Sequence, residues 1–186
     1  MWQRLYEAHR SDGLELVSVA IDAQGPDAVR PYVRRAGATF VTLVDEENQL
    51  GRLLAFKAIP NGVLIDETGA IRYARFGGFD VRDAETRRLV EGWLRSGEVE
   101  APGAAPASAT AAPAPDRDAL AFFDRGLALY RRGQRDEAAA EWRKAVQQDP
   151  ENLVIRKQLW AVEHPERFYA GEVDFAWQRE QLAKGQ

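Results

Sequence analysis

Residues 58–72 read AIPNGVLIDETGAIR and combine a proline, two short apolar runs and a turn. The run Val63-Leu64-Ile65 is apolar throughout, which is typical of a buried strand. Asp66-Glu67-Thr68-Gly69 is a turn sequence, with glycine at the position that tolerates a positive φ. A second β-rich run begins at Ile71 and completes the pattern of a hairpin. The segment therefore predicts a buried strand, a turn and a half-exposed strand.

Helical and extended patterns alternate on both sides of this hairpin. The sequence predicts strands over residues 14–21 and 39–45 and helices over residues 2–9, 26–36, 49–56 and 83–96. The resulting order is α-β-α-β-α-β-β-α. Such alternation indicates an α/β domain over residues 1–97, with one sheet that carries helices on both faces.

Two local features follow from this pattern. Asn48 is a capping residue that stands directly ahead of the helix over 49–56. That helix is expected to bury Leu50, Leu53, Leu54 and Phe56. Asp22, Asp45 and Asp66 lie at strand ends, where aspartate commonly forms turns, so no catalytic role is assigned to them.

Residues 98–117 differ in composition from the rest of the chain. These twenty residues contain eight alanines, four prolines and one glycine, and Val99 is their only larger aliphatic residue. Such a segment cannot build a packed core, so it predicts a semi-extended, disordered linker. Residues 118–186 then form a second module. In it, helices are predicted over 119–130, 135–148 and 153–163.

The last part of the second module is rich in aromatic residues. It carries Phe168, Tyr169, Phe175 and Trp177. Aromatic side chains bury large apolar areas and are seldom left on a free chain end. The tail is therefore expected to fold back on the helices that precede it.

Composition and charge exclude several classes of function. The net charge is −4. Residues 1–97 contain 13 basic and 14 acidic residues, and residues 98–186 contain 12 and 15, so neither part has a basic excess. Nucleic-acid-binding domains carry a basic excess, so no nucleic-acid partner is predicted. No stretch of about 18 residues is apolar enough to predict a membrane span. His9 and His164 lie in different modules without carboxylates at ligand spacing, so neither a metal site nor a cofactor is predicted.

The sequence contains no cysteine. Disulfide bonds, thiolate chemistry and cysteine-ligated metals are therefore excluded for these residues. A secretory signal has a basic flank followed by an apolar core, and the N-terminus of this sequence lacks that pattern. Taken as written, the chain predicts a cytoplasmic location.

The first domain resembles thioredoxin-like redoxins of the TlpA/ResA type, with peroxiredoxins of the AhpC/TSA type more distant. The resemblance is carried by Leu16–Asp22, Phe40–Asp45, Ala58-Ile59-Pro60 and Gly62–Gly69. It implies a thioredoxin-like α/β fold and thiol–disulfide oxidoreductase activity. In that family a central strand and a Trp-Cys-x-x-Cys turn precede the helix that starts here at Trp2. Neither is present, so the domain looks like a redoxin that lacks its first central strand.

The resemblance assigns no catalytic residue, because the redox cysteines are absent. The resemblance does assign two residues to the wall that faces the redox cysteines in that family. These are Ile59, whose backbone would pair with a substrate chain, and Pro60, which would be a cis proline. The residues alone also allow a trans proline that leads into a strand. Without the central strand, Val17–Ile21 and Val63–Ile65 would have unpaired backbone edges, and self-association through that gap is expected.

The second module resembles a tetratricopeptide repeat. Its motif residues are Phe122, Gly126, Ala138, Trp142, Ala145 and Pro150. In such a repeat, small residues let two antiparallel helices approach and large residues fill the crevice between repeats, although Arg125 and Leu129 depart from the usual Leu and Tyr. One repeat is rarely stable alone, so residues 153–163 and the aromatic tail are expected to act as a cap. The resemblance implies a protein partner for this module.

Two functions from different classes remain open. The first is a thiol–disulfide oxidoreductase whose cysteines and signal sequence precede Met1; related redoxins usually work outside the cytoplasm, so a periplasmic location would follow. The second is a redox-inactive scaffold or adaptor that acts through its helical module.

Overall fold

The computed structural model describes residues 1–99 and 116–185. The chain divides into two units, Met1–Pro115 and Asp116–Gln186. Most of the linker predicted over 98–117 lies outside the described residues. At its ends, Val99 packs against the core of the first unit, and Arg117 already belongs to a helix.

Residues 1–99 have the mixed α/β element order that the sequence predicts. Eight elements follow one another, with one turn of 3₁₀ helix after the first: α1 (Trp2–His9), β1 (Val17–Ile21), α2 (Pro26–Ala36), β2 (Val41–Asp45), α3 (Gln49–Leu54), β3 (Gly62–Ile65), β4 (Ile71–Arg75) and α4 (Ala84–Ser96). β1 is shorter than its predicted range, because the chain becomes a strand only at Val17.

The strands form two separate two-stranded sheets, so the prediction of one continuous sheet is wrong. β1 and β2 pair in parallel, with Val17 opposite Val41. β3 and β4 pair antiparallel, which confirms the hairpin predicted over residues 58–72. Within residues 1–99 no ladder joins the two sheets, and each strand therefore has a partner strand on one side only. The thioredoxin-like arrangement stays a prediction.

The core of the first unit lies beside the hairpin. Its buried members come from α1, β3, the segment after β4, and α4, namely Leu5, Leu64, Phe79, Val81 and Val90. Trp2 of α1 stacks on Phe79, with ring centroids 5.7 Å apart. One turn later, Tyr6 meets the ring of Phe40 edge to face at 5.8 Å. α1 thus packs against the hairpin core and against the segment that leads into β2.

Gly62 begins β3 in direct contact with Phe79. A β-carbon on Gly62 would lie 1.9 Å from Cδ1 of Phe79, so only glycine allows this approach. The backbone N–H of Phe79 donates to the carbonyl of Pro60 at 3.2 Å. The Ile59–Pro60 peptide bond ahead of the strand is cis, as the family resemblance implies.

The cap of α3 differs from its prediction. Asn48 occupies the N-cap position, but its side chain makes no capping hydrogen bond. Its backbone is left-handed, with φ 53°, and its side chain fills the space above Gly51, where a β-carbon would lie 2.1 Å from Asn48 Oδ1. The carboxylate of Asp45 caps the helix instead and accepts from the N–H groups of Gln49 at 2.9 Å and Leu50 at 2.8 Å.

The end of α3 also differs from its prediction. The helix stops at Leu54 because Ala55 turns left-handed, with φ 55°. Leu53, which was expected in the core, is 78% exposed, while Phe56 is buried as predicted. The early stop changes the direction of the chain and leaves the outer face of this short helix in solvent.

The second unit is helical throughout its described residues. Its helices are α5 (Arg117–Arg131), α6 (Arg135–Gln148), α7 (Leu153–Glu163), α8 (Pro165–Tyr169) and α9 (Phe175–Ala183). The bounds of α6 and α7 match the sequence prediction, and α5 begins two residues earlier than predicted. α8 and α9 lie in the aromatic tail, for which no helix was predicted. No helix in the described ranges is both long and apolar enough to cross a membrane.

Candidate functional site

The site is built on the hairpin of α5 and α6. Asp116 caps α5, because its carboxylate accepts from the N–H groups of Asp118 and Ala119, both at 2.9 Å. α5 ends at Arg131, and a short turn through Gly133, with φ 80°, leads into α6. Glycine adopts this left-handed conformation without steric penalty, so the turn can be tight.

Gly126 and Trp142 form the closest approach between the two helices. A β-carbon on Gly126 would lie 2.2 Å from Nε1 of Trp142. The indole N–H donates to the carbonyl of Phe123 at 3.0 Å, and the rings of Trp142 and Phe123 stack with centroids 5.7 Å apart. Both rings are almost completely buried. Glycine thus lets a tryptophan of α6 lie against the backbone of α5.

The remaining small motif residues also lie inside the unit. Ala138 and Ala145 are fully buried on α6, where larger side chains would push neighbouring helices apart. Pro150 follows the C-cap of α6 and is exposed. Its carbonyl accepts a hydrogen bond from Nη2 of Arg156 at 2.7 Å, which ties the end of the repeat to α7.

Phe122 has a different environment from the one that the repeat resemblance implies. Its ring is only partly buried. The guanidinium carbon of Arg125 lies 4.4 Å from the ring centroid, and Nζ of Lys144 lies 5.7 Å from it. Two cations thus flank a ring that was expected to fill a crevice between repeats. We call Phe122, Arg125, Glu141 and Lys144 the Phe122 patch.

Glu141 links the two cations of this patch. Its carboxylate accepts from Nε of Arg125 at 2.9 Å and also forms an ion pair with Lys144. Hydrogen bonds from Lys144 and Arg125 hold the pKa of Glu141 below its usual value, and the bond from Lys144 is the larger cause. Arg125 stands where the repeat usually has leucine. That departure was visible in the sequence, but its partner Glu141, sixteen residues later, could be found only from the packing of α5 on α6.

α7 packs against α6 and is buried nearly all round. Arg143 of α6 forms an ion pair with Glu163 at the end of α7. Asn152 caps α7 by accepting from the N–H of Ile155 at 3.2 Å. Burial lowers the pKa of Lys157. The sequence pattern located this helix but missed how many of its polar residues would be buried.

The aromatic tail folds back on α7, as predicted. Trp177 of α9 lies edge to face against Trp160 of α7 at 5.4 Å and against His164 at 5.0 Å. Asp174 caps α9 and accepts from the N–H of Trp177 and from Nη1 of Arg167, both at 2.9 Å. These bonds lower the pKa of Asp174, and the bond from the Trp177 N–H is the largest cause. The tail therefore packs on α7, as expected of a cap.

Ile59 and Pro60 belong to the first unit, not to the helical site. Ile59 is 44% exposed, and Pro60 is exposed beside it. Their role in substrate docking stays a prediction. Two of the three strand-end aspartates form turns as predicted: Asp22 accepts from the N–H of Gln24, and Asp66 accepts from the N–H groups of Thr68 and Ala70. The third, Asp45, caps α3.

Comparison with known proteins supports the helical site. Residues 119–152 match the family model described as Tetratricopeptide repeat. This match confirms the repeat predicted from the spacing of Phe122, Gly126 and Trp142, and such repeats support protein–protein interaction. Neither the curated proteins nor the solved structures contain a match to the chain. The redoxin resemblance of the first unit therefore rests on its sequence motifs alone.

Proposed function

We propose that this chain is an adaptor that binds a protein partner through its helical unit. The observation that carries the proposal is the repeat over residues 119–152, folded as a helical hairpin and closed on one side by α7 and the aromatic tail. Repeats of this type present surfaces to other proteins, and none of their motif residues performs chemistry.

The Phe122 patch is the contact surface that we favour. It joins a partly exposed aromatic ring to an exposed arginine, and aromatic residues and arginine dominate the binding energy of protein interfaces. Glu141 holds Arg125 over the ring before a partner arrives. A side chain that is already ordered loses less conformational entropy on binding, which favours affinity.

Affinity capture from native cells, followed by mass spectrometry, tests this proposal. The full chain serves as bait, beside the variants Phe122→Ala and Arg125→Glu. Arg179→Glu makes the same charge change on α9, outside the patch, and serves as the matched control. We expect a protein that the wild type and Arg179→Glu retain and that both patch variants lose. Capture that is equal for all four baits, or absent, contradicts the proposal.

A redoxin function is the second candidate, favoured by the element order of the first unit and by the Ile59–Pro60 segment ahead of β3. Thiol–disulfide exchange needs a thiolate, and these 186 residues contain no cysteine. The redox cysteines would therefore have to come from residues outside this sequence, and the protein would then work outside the cytoplasm.

The intact mass and N-terminal sequence of the protein from native cells separate the two candidates. A heavier chain that contains a Trp-Cys-x-x-Cys segment would favour the oxidoreductase and would place Pro60 opposite its active site. A mass near 20.8 kDa with Met1 at the N-terminus would exclude it and leave the adaptor.

A further inference from the structure

The β1–β2 sheet is incomplete by the usual standards of parallel sheets. Parallel strands are normally covered on both faces, and two-stranded sheets are marginal in water. In this sheet, Val17, Val41 and Leu43 are 56%, 55% and 52% exposed. The register places Val17 beside Val41 and Val19 beside Leu43, so these side chains share one face. One face of the sheet is therefore apolar and largely uncovered.

The sheet also has open hydrogen-bonding edges. β1 pairs with β2 only, and within the described part of the chain Val17–Ala20 make no backbone hydrogen bond outside that ladder. In a two-stranded ladder, about half of the N–H and C=O groups of each strand point away from the partner. An added strand can satisfy these groups.

Of the four strands in residues 1–99, β1 is the one without a feature that protects an edge. Charged side chains and proline commonly prevent pairing at an edge strand. β2 ends in Asp45, β4 contains Arg72 and Arg75, and Pro60 stands two residues ahead of β3. The five residues of β1, Val-Ser-Val-Ala-Ile, include no charge, no proline and no glycine.

The size of the uncovered face indicates what kind of partner fits. Three half-exposed aliphatic side chains expose on the order of a few hundred Å². A stable interface between folded partners buries roughly 800 Å² on each, so the face is too small for a second copy that packs against it. An added strand draws its affinity from main-chain hydrogen bonds and needs less area.

We infer that the open edge of β1 docks an extended, uncharged peptide strand with apolar residues at alternate positions. Those residues would continue the apolar face of Val17, Val19, Val41 and Leu43. This inference concerns the first unit and does not depend on partner binding by the helical unit. The two can therefore fail separately.

The probe is a synthetic peptide with blocked ends, acetyl-Ser-Val-Thr-Val-Thr-Val-Thr-Ser-amide, added to the full chain and followed by backbone NMR and amide exchange. A control peptide has proline in place of the three threonines and cannot form a ladder. We expect the first peptide to slow amide exchange in β1 and the second to have no effect. Failure of the first peptide to bind at millimolar concentration overturns the inference.

Two matched variants locate the docking edge. Val17→Lys and Val41→Lys each replace a valine with lysine. The two valines are equally exposed and lie opposite each other across the ladder, Val17 on β1 and Val41 on β2. We expect the first to weaken peptide binding by about tenfold or more and the second by less than about threefold. Val17→Thr stays uncharged and β-branched and should bind like the wild type. Equal weakening by both lysine variants overturns the assignment to β1.

Light scattering of the free protein tests a second copy as the occupant. The sequence alone predicts self-association through this edge, but the small exposed area leads us to expect a monomer before the peptide is added. A dimer that dissociates in Val17→Lys would show that a second copy occupies this edge, which would overturn the inference of a peptide strand.

Discussion

Trp142 lies so close to Gly126 that a single methyl group between them would overlap the indole ring. The hypothetical β-carbon is 2.2 Å from Nε1 and 2.3 Å from Cδ1 of Trp142, whereas carbon atoms in contact are about 3.5–4.0 Å apart. The close approach also brings the indole N–H to the backbone carbonyl of Phe123. One glycine on α5 thus fixes both the packing and the hydrogen bond of the repeat.

Gly126→Ala should destabilise the helical unit by about 1–3 kcal/mol, the usual range for overpacking a core. Alanine gains about 1 kcal/mol of helix propensity over glycine, which offsets part of the loss. Urea unfolding followed by tryptophan fluorescence measures the change.

A double-mutant cycle identifies the cause. Trp142→Ala removes the whole indole, including the two atoms nearest to the new methyl group. The double variant should therefore lose less stability than the sum of the two single variants, by about 1 kcal/mol. Strict additivity would mean that the methyl group meets something other than the indole.

Gly62→Ala should destabilise the first unit, because its β-carbon would lie 1.9 Å from Cδ1 of Phe79. We expect a loss of about 3 kcal/mol in the free energy of unfolding. Gly92→Ala in α4 is the matched control: nothing lies within 4 Å of its β-carbon position, so helix propensity should make it more stable by about 1 kcal/mol. Circular dichroism during thermal unfolding compares the two. Equal destabilisation would argue against the Gly62–Phe79 contact.

Glu141 should make the helical unit sensitive to acid. Its pKa is lowered in the folded state by Lys144 and Arg125, so its contribution to stability is complete above its unfolded pKa of about 4.3. That contribution is lost as the pH falls through the lower folded value. Glu141→Gln should therefore unfold at a urea midpoint that changes less between pH 7 and pH 3 than that of the wild type.

The control for this pH effect is Glu151→Gln, an exposed glutamate without an ion pair among the residues described. It should retain the wild-type acid response. NMR titration supplies a second measurement: Lys144→Ala should raise the pKa of Glu141 more than Arg125→Ala does, since the Lys144 hydrogen bond is the larger cause. An unchanged pKa in both variants would mean that this ion cluster does not persist in solution.

Asp116 should stabilise α5 as its N-cap. Asp116→Ala removes the acceptor of two backbone N–H groups and should cost about 1 kcal/mol of unfolding free energy. Asp118→Ala, at the second residue of the same helix, removes a charge but no cap and should cost a few tenths of a kcal/mol. A larger loss for Asp118→Ala would contradict the capping role.

Two differences between prediction and structure lie in one short segment, residues 45–55, which leads from β2 through α3. Asn48 was a plausible cap from its position alone, but its side chain instead fills the space above Gly51, and Asp45 takes over the helix end. Leu53 fits a buried helical pattern, yet the helix stops one residue after it. Periodicity describes a helix that continues, and it does not record the backbone conformation that ends one, which here is the left-handed Ala55.

The sequence by itself determined the order of elements, the hairpin over residues 58–72 and the repeat over residues 119–152. These features rest on local chemistry: β-rich runs, turn glycines, and small and large residues at fixed helical spacing. Residues such as Gly126 and Trp142 can be recognised from spacing because the distance along a helix fixes the face on which they lie.

Only the tertiary structure decided the division into two sheets, the exposed apolar face of β1 and β2, and the pairing of Arg125 with Glu141. Each depends on which distant segments pack together, and strand preferences are set by that packing more than by the local sequence pattern. Strand composition shows that β1 can pair, and the packing of the whole unit leaves one of its edges without a partner strand.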